Sequence, residues 1–223
     1  MNKICVILAM NDEVQDFLDQ HQTKIVVLEE KPFKIMQFEQ HLIALSGIGL
    51  INAASCLTYV AQKYAPTSFL NVGLAGAVEQ NVKILDLLVV EKVYHAGVDA
   101  TVFGYAFGQT PKEAVNFVSD STLITKLAQI GPFQKATLAS SDSFIAKMDQ
   151  YETQIAPLAA EIQLMDMEAF GYFQTAAKLD IPIVAIKVVS DILTKSEDNN
   201  MQFLEILARG SQMITEVMVK YLK

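Results

Sequence analysis

The sequence predicts an α/β sandwich built on a mixed β-sheet. Strand-like and helix-like stretches alternate along nearly the whole chain, and a meander of short strands is inserted early, at 24–46. Near the C-terminus a helical stretch with Ala169, Tyr172, Phe173, Ala176 and Ala177 at i, i+3, i+4 spacing precedes a β-branched run at 181–189. That run reads as a strand buried on both faces.

Residues 3–9, KICVILA, are the first strand. It stops at Met10, and Asn11 is the expected N-cap of a helix to about Leu18, with Glu13 in the first turn, where the helix dipole favours an acid. Strands follow at 24–28, 33–38 and 41–46, the last two joined by a tight turn at Glu39 and Gln40. Ser46, Gly47, Ile48 and Gly49 then lead into a helix at about 50–64. This glycine-bearing turn is neither a Walker loop nor a dinucleotide fingerprint.

A strand at 67–72 is expected to end in a second small-residue turn, Gly73, Leu74, Ala75, Gly76 and Ala77. Residues 84–93 are β-rich. The aromatic and glycine-rich loop FGYAFGQTP at 103–111 suggests a lid or a subunit contact. A helix near 121–129, a strand at 135–139, the polar stretch SSDSFI at 140–145, a loop at 193–200 and an amphipathic helix at 203–222 complete the chain. No linker divides it, so a single domain over 1–223 is expected.

Composition narrows the function. The apolar fraction is 52% and the charged fraction 19%, enough for a large core. A net charge of −8 argues against nucleic acid or an anionic membrane as partner. The short apolar N-terminus, followed at once by Asp12 and Glu13, reads as a strand rather than a signal peptide, and a cytoplasmic location is expected. Cys5 and Cys56 are expected to be reduced thiols. His21, His41 and His95 have no metal-ligand spacing, so no metal or organic cofactor is indicated. His21 and His41 are expected in solvent, and His95 is kept as a minor site candidate.

Glu13, Glu168 and Asp191 remain, each at a junction after a strand. Ligands of open α/β sheets bind at such strand ends, and acids gathered in an apolar pocket divide acid and base roles by shifting one another's pKa.

A family resemblance is carried by Ala9–Met10 with Glu13, by Ser46 to Gly49, by Asn71–Val72–Gly73 with Ala75–Gly76, and by FGYAFGQTP at 103–111. SDSFI at 141–145, MEA at 167–169 and VSD at 189–191 extend it across almost the whole chain. In these motifs the chain resembles the nucleoside phosphorylase/nucleosidase superfamily, specifically the bacterial 5′-methylthioadenosine/S-adenosylhomocysteine nucleosidases. The resemblance implies a three-layer α/β/α sandwich whose central mixed sheet is partly barrel-like. It also implies hydrolysis of the N-glycosidic bond of an adenine nucleoside and a homodimer.

By the same resemblance, Glu13 is the general base that activates water and Asp191 the acid at adenine N7. Glu168 holds the ribose hydroxyls with Met167 beside the sugar, Phe144 stacks on adenine, and the Ile145 backbone reads the base. Gly76 and Ser190 are further substrate contacts. Met10 and Ile48 line the 5′-alkylthio pocket with Phe103 and Pro111 from a neighbouring subunit. Leu74 stands where the family carries a serine beside the water site, Lys187 where it carries a water-positioning arginine, and Asp166 where it carries a glutamate.

The phosphorolytic relatives hold phosphate with arginines, whose planar fork binds its oxygens in pairs. Arg209 is the only arginine here and matches none of those positions, while Asn71 stands where they carry one before the Val-Gly turn. Water is therefore the expected nucleophile. A purine nucleoside phosphorylase and an adenine-nucleoside-binding protein without catalysis are the alternatives.

Overall fold

A computed structural model describes residues 3–78, 81–193 and 200–223. In chain order its elements are β1 (Ile4–Leu8), α1 (Asn11–His21), β2 (Ile25–Glu29), β3 (Lys34–Phe38), β4 (His41–Leu45) and α2 (Leu50–Tyr64). Then come β5 (Ser68–Ala77), β6 (Leu87–His95), β7 (Asn116–Val118), α3 (Ser121–Ala128), β8 (Gln134–Ser140) and α4 (Met148–Gln154). The chain continues with β9 (Leu164–Asp166), α5 (Ala169–Lys178), β10 (Ile183–Ile192) and α6 (Asn200–Tyr221).

The strands form one mixed sheet that closes on itself. β10 pairs with β5 and β6, β6 with β8, β8 with β9, and β9 with β5, so these strands make a ring. β1 leaves the ring alongside β5 and continues through β4, β3 and β2 as an open wing. This is the expected sandwich with a partly barrel-like sheet.

β5 is the hinge of the architecture. One edge is paired with β10 throughout. The other follows β1 only as far as Asn71 and meets β9 only from Gly76. The sheet therefore splits between those points, and the pocket described below opens at the split.

Apolar residues explain the layers. Leu57, Phe69, Phe173 and Val189 belong to a core between the sheet, α2 and α5. Phe17, Leu70, Val188 and Met218 belong to one between the sheet, α1 and α6. A smaller cluster around Ile145, Ile155 and Met165 underlies α4. Among the described residues no helix is long and apolar enough to cross a membrane.

Several expectations are corrected. Residues 73–77 are strand, not a turn: without side chains at Gly73 and Gly76, β5 continues while carboxylates pack against its backbone. β10 likewise runs through Ser190 and Asp191 to Ile192, with a register shift between Val189 and Asp191. α1 is capped at Met10, not Asn11, because the Glu13 side chain accepts the Met10 N–H at 3.0 Å. His41 is buried, and its Nδ1 accepts the Ile4 N–H at 3.2 Å, so it is not solvated. β7 and α4 were not foreseen. Cys5 and Cys56 are free and buried. The expected loop at 193–200 lies, over 194–199, outside the described residues.

Candidate active site

A cavity of about 240 Å³ lies at the split edge of β5. Glu13, Glu168 and Asp191 all line it, together with Met10, Ile48, Leu74, Gly76, Phe144, Ile145, Met167 and Ser190. The sheet thus gathers eleven of the fourteen residues expected at the site. Lys187 lies just beneath rather than on the wall. Phe103 and Pro111 are not brought to it: Phe103 is 78% exposed on its own chain, and Pro111 is exposed in the same loop.

Glu13 fills the gap that the split leaves. Its Oε2 accepts the backbone N–H groups of Ala9 (3.2 Å) and Met10 (3.0 Å), which follow β1, and its Oε1 accepts that of Leu74 (2.9 Å) on β5. The carboxylate therefore does on this edge what a neighbouring strand would do. Glu13 is 4% exposed. Burial raises its pKa, and the Lys187 charge and these N–H donors oppose without cancelling the rise. The contact is close: a Cβ on Gly73 would stand 2.7 Å from Glu13 Oε1 and 3.4 Å from Lys187 Nζ.

Glu168 stands between β9 and α5. Its Oε1 accepts the Gly49 N–H at 2.9 Å, and burial with the neighbouring Asp166 charge lifts its pKa to about 7. Asp166 is itself fixed on several sides. Its Oδ1 accepts the Ser140 hydroxyl at 2.6 Å, and its two oxygens accept the Ala169 N–H at 3.2 and 3.1 Å. Its Oδ2 pairs with Lys187 Nζ at 2.9 Å, with side-chain exposures of 2% for Asp166 and 3% for Lys187. Burial works against the Lys187 charge, but Asp166, Glu168 and Glu13 together raise its pKa, so it is an ammonium beneath three acids.

Asp191 faces the pocket from β10. The Ser190 hydroxyl donates to its Oδ1 at 2.6 Å, and its Oδ2 lies 3.0 Å from where a Cβ on Gly76 would be. The Leu74 side chain turns towards α6: a Cβ on Gly210 would stand 2.7 Å from Leu74 Cδ2. Position 74 thus gives Glu13 its backbone N–H and the second core an apolar side chain. Asn71 is buried below, donating from Nδ2 to the Ile7 carbonyl at 3.0 Å. Arg209 is exposed on α6 and absent from the pocket wall.

His95 is not on the wall either. Its ring stacks on Phe170 at 4.7 Å, and burial lowers its pKa, so it serves the core. Sequence reasoning had given no role to Ser140 or Asp142. Ser140 orients Asp166, and Asp142 Oδ1 accepts the Leu50 N–H at 2.8 Å. The motif at 141–145 was the available signal for Asp142. Among the described residues no cluster of His, Cys, Asp or Glu could hold a metal.

The arrangement suits cleavage of a bond that develops positive charge. Carboxylates surround a cavity with an apolar lining, and one has a raised pKa near neutrality. The apolar wall accepts a planar base and an alkyl group.

Comparison with known proteins agrees. The family model of the phosphorylase superfamily matches residues 3–223. A 5′-methylthioadenosine/S-adenosylhomocysteine nucleosidase of Staphylococcus aureus is 32% identical over 194 residues, 84% of this chain and 85% of that protein. The fold is similar to that of the nucleosidase of Neisseria meningitidis in complex with methylthio-immucillin-A, with a TM-score of 0.86 and 25% identity over 100% of this chain and 99% of that one. It is also similar to the S. pneumoniae nucleosidase with a transition-state inhibitor, with a TM-score of 0.87 and 26% identity over 99% and 98% of the two chains.

Proposed function

The chain belongs to the phosphorylase superfamily and, within it, to the 5′-methylthioadenosine/S-adenosylhomocysteine nucleosidases, and on that premise we propose that it hydrolyses the N-glycosidic bond of those two nucleosides. The products are adenine and the 5-substituted ribose. The proposal extends to 5′-deoxyadenosine as a substrate, a single catalytic unit over 1–223, action in the cytoplasm and a role in methionine salvage. The observation that carries it is the convergence of Glu13, Glu168 and Asp191 on one cavity with apolar walls.

In this reading Glu13 takes a proton from water as the water oxygen bonds to C1′. Its raised pKa makes it a better base than an exposed carboxylate. The bond from C1′ to N9 breaks, its electron pair goes to adenine, and Asp191 protonates or hydrogen-bonds N7 so that the base leaves neutral. Glu168 holds the 2′- and 3′-hydroxyls, and its negative charge steadies the cationic sugar of the transition state. Phe144 stacks on adenine, Ile145 reads its edge, and Met167 packs beside the sugar. Gly76 leaves room for Asp191, and Ser190 orients it. Met10 and Ile48 meet the 5′ substituent.

Lys187 holds Asp166 and, from below, offsets the charge of Glu13 and Glu168. Hydrolysis is favoured over phosphorolysis because the pocket wall offers no arginine for a phosphate dianion.

The same reading makes the protein a homodimer. Val102 and Phe103 are 84% and 78% exposed, and Ile51 of α2 is 77% exposed, more apolar surface than an isolated subunit gains from. Phe103 and Pro111 of the partner subunit would complete the 5′ pocket.

The test is adenine release from 5′-methylthioadenosine in phosphate-free buffer, with Asp191→Asn and Glu13→Gln beside the native protein. Each variant is expected to lose roughly 10²–10⁴-fold in kcat. Formation of ribose 1-phosphate from adenosine and phosphate would overturn the hydrolytic reading. Retention of the nucleoside without adenine release would instead favour a non-catalytic binder. The observation behind that second reading is that the Leu74 side chain offers the water site no hydroxyl.

A further inference from the structure

The first turn of α2 carries two carboxylates from distant parts of the chain. Gly49, at the cap position with φ of 101°, has no side chain to cap the helix. Its own N–H is taken by Glu168, and the next, on Leu50, is taken by Asp142 at 2.8 Å from 92 residues away. A Cβ at Gly49 would stand 3.0 Å from Asp142 Oδ1, so Asp142 occupies the place of a local cap side chain.

Asp142 begins the segment that supplies Ser143, Phe144 and Ile145 to the pocket wall. Ile145 is anchored in the small core, but Phe144 is 64% exposed and is not held by burial. The other ties of this segment stay on its own side of the pocket. Ser141 N–H donates to the Asp166 carbonyl at 3.1 Å, the Ser141 hydroxyl donates to Gln154, and Gln150 accepts the Ala146 and Lys147 N–H groups. Only the Asp142 bond, among the described contacts, reaches the opposite wall, where Ile48 and Gly49 enter α2.

We propose that Asp142 is a positioning residue for base binding: it latches the segment bearing Phe144 to the first turn of α2, beside the carboxylate that receives the ribose. The identity of the ligand rests on the nucleosidase reading, but the latch does not. The latch ties the base-facing segment and the ribose-facing carboxylate to adjacent N–H groups of one helix end. Its removal would loosen the aromatic wall while leaving Glu13, Glu168 and Asp191 in place.

The experiment compares Asp142→Ala and Asp142→Asn with the native protein. It measures kcat and KM for 5′-methylthioadenosine, the dissociation constant of adenine by calorimetry, and hydrogen exchange of residues 141–147. For Asp142→Ala, KM and the adenine dissociation constant should rise together about tenfold, the scale of one lost cap, while kcat stays within about twofold. Exchange over 141–147 should accelerate. Asp142→Asn keeps an acceptor oxygen and should recover most of the affinity. A lower melting temperature with unchanged KM and adenine affinity would reduce Asp142 to a helix cap and overturn the proposal. A fall in kcat alone would also overturn it. If the native protein releases no adenine, the nucleosidase reading fails, and adenine affinity and exchange still judge the latch.

Discussion

Replacing Lys187 with methionine tests the electrostatic design of the site. The side chains are similar in length, so packing is largely kept and the positive charge is removed. Asp166 lies 2.9 Å from the ammonium, with side-chain exposures of 2% and 3% for acid and base. Removing one partner of so buried a pair typically costs about 3–5 kcal/mol, because the other charge is left without compensation. Lys187 also opposes the rise in pKa of Glu13 and Glu168. In the variant both carboxyls should titrate higher still.

The sign of the pH dependence follows. Carboxyls with folded pKa values above the unfolded ones bind more protons in the native state, so stability falls as pH rises from about 4 towards 8. The difference between native protein and Lys187→Met should therefore be largest near pH 8 and shrink near pH 5. Urea denaturation at both pH values measures it, with Lys187→Arg as the charge-preserving control. A loss below about 1 kcal/mol at pH 8, far under the range for a broken buried pair, would refute the reasoning. So would a loss that does not change with pH.

Other outcomes are expected. Glu168 has a pKa of about 7 from burial and the Asp166 charge, so if its carboxylate form holds the ribose, kcat/KM should rise through that pH; Glu168→Gln should abolish that limb in a pH–rate profile. Gly73→Ala places a methyl 2.7 Å from Glu13 Oε1 and should lower kcat at least about tenfold by displacing the base, with near-native circular dichroism and turnover measured on the same sample. Phe103→Ser should shift a dimer towards monomer in sedimentation equilibrium and raise KM for 5′-methylthioadenosine more than for adenosine, which lacks the alkylthio group; an unchanged sedimentation profile would count against this loop as the subunit contact.

Much of the site was legible because its acids stand next to recognisable neighbours. Glu13 follows Ala9 and Met10, Glu168 sits in MEA, and Asp191 ends VSD. The helix at 50–64 was legible from its periodicity and from the glycines before it. What escaped has physical causes. β7 is only three residues long, and α4, MDQYETQ, has no buried residue to mark a face. The residues Gly73 to Ala77 read as a turn because small residues usually mark one. Here Gly73 and Gly76 lack side chains because Glu13 and Asp191 press against them. Nothing local to Ser140 or Asp142 reveals that one grips Asp166 and the other a helix end far along the chain. The burial of His41 depends on the Ile4 N–H, a contact 37 residues away.

The irregularity in β10 has a consequence for insertions and deletions. Ile183, Ala185 and Val189 face the core under α2 and α5, while Val184, Ile186 and Val188 face the core under α1 and α6. By that alternation Lys187 and Asp191, four positions apart, would share a face. The register shift after Val189 pairs Asp191 with Gly76 and returns Ile192 to the α2 side, so acid and cation part company. Ser190 is the surplus residue that makes the exchange. Loss of that single codon would remove the bulge and set Asp191 directly after Val189, still opposite Gly76 and still turned from the ammonium, but without the hydroxyl that orients it. A one-residue alignment gap at the bulge is therefore milder for the acid than the same gap in the regular ladder before it, where every later side chain changes face.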